Sequence, residues 1–232
     1  MNEPGKTGQF TAKDIVPVPK KIETLQQWVL FVIARAQATK RWGKHSERYR
    51  TQNVLQHTVE QYLLSDMACL IERQFGTPID IESILRTSMV HDFGEEGRPN
   101  ENGEGNFDTS WIDKQGDSKE HHQEVERQRY RAWLDQLPIE EPYRSVIIEA
   151  YQTAYEAQYA DTREGRFFNA LENLGYVIHM FEELAVGHEK YAEWIPLHHD
   201  LLDGYANEFI SIRVLYAKHR PKVIELMRNG AL

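Results

Sequence analysis

Apolar residues recur at steps of three and four along most of the chain, which is the spacing of helices with one apolar face. Over residues 22–40 they are dense enough to predict a largely buried helix. A second helix is predicted over residues 52–75, and its apolar stripe comprises Val54, Leu55, Val59, Tyr62, Leu63, Met67, Leu70 and Ile71. A third helix is predicted over residues 79–90.

The helical spacing returns after residue 118 and continues almost to the end of the chain. We predict five further helices, over residues 119–137, 142–159, 162–187, 189–202 and 209–227. We expect the last two to separate near Asp203 and Gly204. No segment alternates like a strand flanked by turn residues. The sequence therefore predicts an all-α fold, and it contains no internal repeat.

Two polar segments set the expected domain organisation. Residues 1–20 are rich in Pro and Gly and predict an N-terminal tail or surface strap. Residues 95–119 are the most polar part of the chain and predict a long loop insertion, either a lid over a site or a solvated insertion. We expect one domain over residues 21–190, with a C-terminal helical extension over residues 191–232 packed on it.

The net charge, the cysteine count and the apolar runs of the chain limit the kinds of molecule that it can bind. The chain has 232 residues and a formal net charge of −9, which does not suit a protein that grips the nucleic-acid backbone with Lys and Arg. A metal and a few local arginines can still bind a small phosphorylated molecule. Cys69 is the only cysteine, so no intrachain disulfide forms. The longest apolar run, residues 28–34, is too short to span a bilayer, and we expect a cytoplasmic protein without a membrane partner.

Candidate chemistry begins at the end of the third predicted helix, in the run SMVHDFGEE at residues 88–96. His91 and Asp92 can offer an imidazole nitrogen and a carboxylate oxygen to one cation, and Glu95, three residues later, reaches the same side. A His-Asp pair alone is weak evidence, since His199-Asp200 provides a second one.

Two other ionisable residues lie on faces that are otherwise set for burial. His57 lies near the apolar stripe of the second helix and is either a core histidine or a ligand. Glu172 needs a partner, either Arg166 or a cation, because its face is otherwise formed by Phe168, Leu171, Leu174 and Gly175. Two imidazoles and two carboxylates suit a divalent cation with positions left for water and substrate, which indicates hydrolysis.

The segment RWGKHSERYR at residues 41–50 is basic and contains a glycine, so we interpret it as a connecting loop. One interpretation is a solvated loop. In the other it is the rim of a pocket, where Arg41 pairs with a phosphate and Trp42 forms a flat wall against a sugar or base.

These motifs, in this order, resemble the HD-domain metal-dependent phosphohydrolases, and within them the branch of bacterial 5'-deoxynucleotidases and their eukaryotic relatives. The resemblance covers about residues 22–189. It is carried by Arg41-Trp42, RTQNVLQH at residues 50–57, VHDFGE at residues 90–95, and the segments at residues 155–156 and 162–174.

The resemblance implies an HD-domain helical bundle that forms a homodimer and holds one divalent metal ion, namely Mn, Co, Fe, Zn or Mg. The implied metal ligands are His57, His91, Asp92 and Glu172. Glu95 would orient or deprotonate the attacking water, Arg41 would hold the phosphate, and Trp42 would press on the sugar where a 2'-hydroxyl would clash. The implied activity is that of a metal-dependent phosphoric monoester hydrolase, which removes phosphate from deoxynucleoside 5'-monophosphates by attack of metal-activated water.

The chain departs from the family pattern at three positions. Glu172 stands where the family has Asp, and a register shifted by three would place Asn169 there instead. Gln56 replaces an acid beside the first metal-binding histidine. Asn100 stands where the family has an acid, and the substitutes available in the polar loop are Glu101, Glu104 and Asp108.

Two other functions stay open. The large insertion can reshape the pocket for a deoxynucleoside triphosphate hydrolase of the same fold. The departures at Glu172 and Asn100 also allow a catalytically silent HD-fold nucleotide-binding protein.

Overall fold

The computed structural model describes residues 22–41, 52–95 and 119–228. These residues form helices and turns, with one isolated antiparallel bridge between Lys40 and Asn53, and the all-α prediction is confirmed. The predicted tail at residues 1–20, Trp42 and nearly all of the polar segment lie outside the described residues. Within the described ranges, no helix has the length and apolar character needed to cross a membrane.

The helices lie close to the predicted segments. Two 3₁₀ turns, Glu189–Glu193 and Ile195–His198, stand where the start of a seventh α-helix was predicted. The α-helices of the described residues are α1 Leu25–Ala38, α2 Val54–Gln74, α3 Ile81–Val90, α4 Lys119–Leu134, α5 Tyr143–Ala157, α6 Arg163–Ala185, α7 His199–Glu208, α8 Ile210–Tyr216 and α9 Arg220–Arg228.

The chain divides into two compact units, with breaks after residues 57, 91 and 149. The described part of the first unit comprises residues 22–41, 52–57, 92–95 and 119–149. Its small core joins α1 to α4, because Phe31 packs edge-on against Trp133 and the indole nitrogen of Trp28 donates to the Trp133 carbonyl at 3.0 Å. The ring of Phe93 packs on the same indole and so anchors the turn that carries Asp92.

The second unit, residues 58–91 and 150–228 of the described chain, is built around α6. Thr162 begins this helix by accepting a hydrogen bond from the Gly165 amide at 3.1 Å. A side chain at Gly165 would meet the Ala160 carbonyl oxygen at 2.1 Å, so only glycine allows this close approach. The helix is buried along much of its length, through Phe167, Leu171, Leu174, Val177 and Met180.

The C-terminal helices end at other places than predicted. The expected break near Asp203 and Gly204 is wrong, because α7 runs through both residues and ends before Phe209, which is extended and fully buried. The predicted helix over residues 209–227 is interrupted after α8. Pro221 lies in the first turn of α9, where its missing amide costs nothing, but it cannot continue a helix from the preceding turn.

The apolar faces of the first two helices are more exposed than predicted. The prediction that α1 is largely buried is wrong, because its buried residues are Phe31, Val32 and Ala36. Leu25, Val29, Leu30 and Ile33 are exposed. In α2, four members of the predicted stripe are exposed to 49, 56, 50 and 47%, namely Val59, Leu63, Met67 and Leu70.

A buried carboxylate joins α2 to α8 within the second unit. Oε1 of Glu72 accepts hydrogen bonds from both the amide and the hydroxyl of Ser211, each at 2.7 Å. Both side chains are fully buried. The contact satisfies an amide in the first turn of α8, where backbone donors have no partner within the helix.

Replacing Glu72 with alanine should therefore lower the free energy of unfolding by roughly 1.5–3 kcal/mol, because Ser211 would lose a charged acceptor in a buried place. Urea unfolding followed by circular dichroism measures the change. Glu225→Ala, on an exposed position of α9, is the matched control and should change stability by less than about 0.5 kcal/mol. Equal stability of the two variants would contradict the assigned role of Glu72.

Candidate metal centre

The end of α3 presents two of the predicted ligands in succession. The amide of His91 donates to the Thr87 carbonyl at 2.9 Å, and His91 keeps helical backbone angles, with φ −54 and ψ −37. The chain then turns, because the Glu95 amide donates to the Asp92 carbonyl at 3.0 Å. Both His91 and Asp92 are buried.

In the first unit, a guanidinium and an imidazole meet the carboxylate of Asp92. Nη1 of Arg41 donates to Oδ2 of Asp92, and Nε2 of His57 lies 3.6 Å from the same oxygen. All three side chains are buried. The charges of Arg41 and Asp92 compensate each other where little water is available, and losing either partner would leave a buried charge.

The position of Arg41 is set by backbone hydrogen bonds. Its amide donates to the Gln52 carbonyl at 2.8 Å, and the Val54 amide donates to the Thr39 carbonyl at 2.9 Å. These bonds close the segment between residues 41 and 52 at its base. For Arg41 itself the solvated-loop interpretation is wrong, because the side chain is buried.

The position of His57 is set by the start of α2. Asn53 and Gln56 form a capping box, in which the Asn53 side chain accepts from the Gln56 amide at 2.9 Å and the Gln56 side chain accepts from the Asn53 amide at 3.0 Å. Gln56, a departure from the family pattern, thus helps begin the helix whose first turn carries His57.

In the second unit, the two nitrogens of His91 have different neighbours. Nδ1 lies 3.0 Å from the Ser88 carbonyl oxygen, and Nε2 lies 3.3 Å from Oε1 of Glu172. A carbonyl oxygen only accepts, so Nδ1 carries the proton in the neutral ring and Nε2 keeps its lone pair. The ring also packs against Phe168, and Gln158 donates to the His91 carbonyl at 3.1 Å. Nε2 is therefore the nitrogen that can bind a metal.

His57, His91 and Asp92 each offer one ligand atom, and these atoms lie within 4.8 Å of one another. His91 directly precedes Asp92, so two adjacent positions of the chain carry two of the three donor side chains. Two imidazole nitrogens and a carboxylate oxygen suit Zn, Mn, Fe or Co, and their burial shields a bound ion from bulk water. The residues present fit a divalent cation.

Glu172 contacts one member of this group, His91, but it is not among the residues whose ligand atoms all lie within 4.8 Å of one another. The alternative partner, Arg166, pairs with Glu208 at 2.8 Å and with Asp161 at 3.0 Å. Arg166 donates hydrogen bonds to both carboxylates, and these bonds raise its pKa above the ordinary range. The buried carboxylate of Glu172 therefore faces an imidazole, and its role as the fourth ligand stays a prediction.

The other residue considered for that position, Asn169, has its amide nitrogen directed at backbone. Nδ2 donates to the Gly165 carbonyl at 2.9 Å and to the Gln158 carbonyl at 3.1 Å. These bonds connect α6 to the residues that follow α5, which is a structural role.

The predicted catalytic residue, Glu95, is partly buried and ends the turn that starts at Asp92. Its role as a base stays a prediction. Trp42 lies outside the described residues, so its predicted contact with the sugar also stays a prediction.

The second His-Asp pair has a structural environment. Nδ1 of His199 lies 2.8 Å from the Tyr216 hydroxyl, and Nε2 lies 3.7 Å from a carboxylate oxygen of Asp203. Asp200 is exposed. The His199-Asp200 pair thus differs from His91-Asp92, in which both side chains are buried.

Sequence reasoning missed two residues beside Glu172. The hydroxyl of Tyr176 donates to Oε2 of Glu172 at 2.9 Å, and the ring of His198 lies against the ring of Tyr176 with centroids 5.6 Å apart. The spacing of four between Glu172 and Tyr176 was a usable signal, since such residues share a helix face. Nothing local in the sequence connects His198 with this place.

Comparison with known proteins gives the family. A family profile described as "5'-deoxynucleotidase YfbR-like" matches residues 29–210, which include every candidate ligand. The chain belongs to the YfbR-like family. This match confirms the resemblance to the 5'-deoxynucleotidases seen in the sequence.

One solved structure supports the fold of this YfbR-like protein. An HD-domain phosphohydrolase from Listeria innocua matches with a TM-score of 0.66 and 14% identity, over 86% of this chain and 89% of that one. A conserved hypothetical protein from Pyrococcus furiosus matches with a TM-score of 0.46 and 19% identity, over 78% of this chain and 86% of that one. None of the curated proteins compared matches the chain. The first match confirms the HD-domain fold.

Replacing Asp92 with alanine should abolish binding of Mn²⁺, because it removes the only carboxylate of the three-residue ligand group. Titration calorimetry of metal-stripped protein measures the binding, and far-ultraviolet circular dichroism should show nearly unchanged helical content. Asp200→Ala, in the second His-Asp pair, is the matched control and should bind Mn²⁺ like the wild type. Retained binding by Asp92→Ala would overturn the site assignment.

Proposed function

We propose that this protein is a divalent-metal-dependent phosphohydrolase that removes phosphate from deoxynucleoside 5'-monophosphates. The observation that carries the proposal is the buried ligand group of His57, His91 and Asp92 in a chain of the YfbR-like family. A cation bound there would polarise a phosphoryl oxygen and make water acidic enough to attack at neutral pH. Mn, Co, Fe, Zn and Mg stay the candidates, because this donor set does not select one of them.

The side chains around the ligand group have separate roles in this proposal. Glu95 accepts a proton from the water that attacks phosphorus. As the bond from phosphorus to the 5'-oxygen breaks, that oxygen takes up a proton from the solvent and leaves as the 5'-hydroxyl of the deoxynucleoside. Arg41 places a fixed positive charge beside Asp92, which suits a phosphate oxygen. Trp42 packs on the sugar and disfavours a 2'-hydroxyl.

Deoxynucleoside mono-, di- and triphosphates and ribonucleoside monophosphates, each with Mn²⁺, Co²⁺ or Mg²⁺ added separately, test this function when chromatography measures the phosphate, pyrophosphate, triphosphate and nucleoside that are released. We expect turnover of deoxynucleoside monophosphates above all others. Glu95→Gln should lower kcat by ~10²–10⁴-fold, the usual contribution of a positioned base. Glu193→Gln, on an exposed position, is the matched control and should leave kcat unchanged.

The other outcomes distinguish the competing functions. Turnover of triphosphates alone would replace the proposal with a triphosphate hydrolase of the same fold. No bound transition metal in the purified protein, and no turnover after metal is added, would support a silent nucleotide-binding protein.

We also propose that the protein forms a homodimer through α2. Val59, Leu63, Met67 and Leu70 follow one another at steps of four, four and three, so they form one exposed apolar stripe about 16 Å long. An apolar stripe of this kind marks a contact surface. It is complementary to itself when two copies are related by a two-fold axis, so a second copy of this chain is the partner it fits.

Leu63→Lys should convert the dimer to a monomer, because it places a charge in the middle of this stripe. Light scattering coupled to size-exclusion chromatography measures the mass, and we expect twice the chain mass for the wild type. Val146→Lys is the control: it alters an exposed valine on α5, outside this stripe, and should leave the dimer intact. A monomeric wild type, or a dimeric Leu63→Lys variant, would contradict the proposal.

A further inference from the structure

The two carboxylate oxygens of Glu172 have different neighbours. Oε1 lies 3.3 Å from Nε2 of His91, whereas Oε2 accepts a hydrogen bond of 2.9 Å from the hydroxyl of Tyr176. Glu172 is buried, so water has little access to either oxygen. The hydroxyl of Tyr176 therefore distinguishes two oxygens that are chemically equivalent in a free carboxylate.

The contact between Oε1 and His91 is the one that needs a cation. Because Nδ1 of His91 faces the Ser88 carbonyl, Nε2 is an acceptor in the neutral ring. Two acceptors 3.3 Å apart repel each other unless a proton or a metal lies between them. A divalent ion that binds Nε2 is attracted by Oε1 for the same reason.

The ring of Tyr176 is itself held in place. It shares a helix face with Glu172, four residues earlier, and packs against the ring of His198. Nδ1 of His198 lies 2.7 Å from Oδ1 of Asn173, whose amide nitrogen donates to the Asn169 carbonyl at 2.7 Å. Burial lowers the pKa of His198 to about 4, so this ring is neutral at pH 7 and donates through Nδ1. Helix α6 and the 3₁₀ turn before α7 together fix the direction of the hydroxyl.

We infer that Tyr176 is a positioning residue for the metal site: by holding Oε2, it presents Oε1 of Glu172 as a single-oxygen ligand beside His91. The inference rests on the proposed metal-dependent function. A glutamate has a long side chain with a freely turning carboxylate, and restricting it before the ion binds reduces the entropy lost on binding. In this inference Tyr176 acts on the ion only through Glu172.

Tyr176→Phe tests the inference, because it removes the hydroxyl and keeps the ring against His198. We expect the metal-stripped variant to bind Mn²⁺ about 10–100-fold more weakly than the metal-stripped wild type, as is usual when a hydrogen bond to a metal ligand is lost. Titration calorimetry measures this affinity. The melting temperature of the metal-stripped variant should stay close to that of the wild type, whereas a purely structural role would lower it without changing the affinity.

Two further variants complete the test. Tyr205→Phe is the control: it removes a hydroxyl from a tyrosine of α7 whose ring packs on Phe209. This variant should bind Mn²⁺ like the wild type. In a Glu172→Asp background, whose shorter carboxylate is drawn away from the hydroxyl, adding Tyr176→Phe should lower the affinity by less than about threefold, since the two changes remove one interaction.

The outcomes separate the inference from the function on which it rests. A wild type that binds no Mn²⁺ overturns both. A wild type that binds Mn²⁺, together with a Tyr176→Phe variant of equal affinity, overturns the role of Tyr176 alone. An equal loss in the wild-type and Glu172→Asp backgrounds also overturns it, because the hydroxyl would then act independently of Glu172.

Discussion

Charge compensation around the carboxylate of Asp92 is the constraint on which the candidate site depends. A buried carboxylate is stable only when opposite charge or strong hydrogen bonds surround it. Arg41 provides that charge, and His57 approaches the same oxygen. The local structure of the chain serves this requirement: backbone bonds to Gln52 fix Arg41, and the capping box of Asn53 and Gln56 fixes the first turn of α2.

In the second unit, hydrogen bonds orient the side chains of His91 and Glu172 instead of neutralising a charge. The Ser88 carbonyl selects which nitrogen of His91 keeps its lone pair, and the Tyr176 hydroxyl selects which oxygen of Glu172 faces that nitrogen. Each selection uses a hydrogen bond within one helix or at its end. Ordinary helical spacing thus produces the chemical direction that a metal site needs.

Much of this arrangement could be predicted from the sequence, for a physical reason. Helical periodicity is local, so the all-α fold and the place of His91 and Asp92 at a helix end followed from apolar spacing and turn residues. The sequence placed His57 only near the apolar stripe of its helix. Which residues cover an apolar face depends on distant parts of the chain. The sequence therefore predicted the apolar stripe on α2 but not that four of its residues are exposed. The break at Phe209 depends on a buried ring and on Glu72, which is 139 positions from its partner Ser211. His198 reaches Tyr176 through tertiary packing that no spacing rule describes.

The bridge between Lys40 and Asn53 gives Arg41 and the start of α2 a backbone support of their own. Because hydrogen bonds at its base hold the segment on both sides, residues inserted or exchanged between positions 41 and 52 leave the groups at its ends attached to the helices that carry them. The placement of Arg41 and of the helix turn that carries His57 therefore depends on these backbone bonds rather than on which side chains stand between positions 41 and 52.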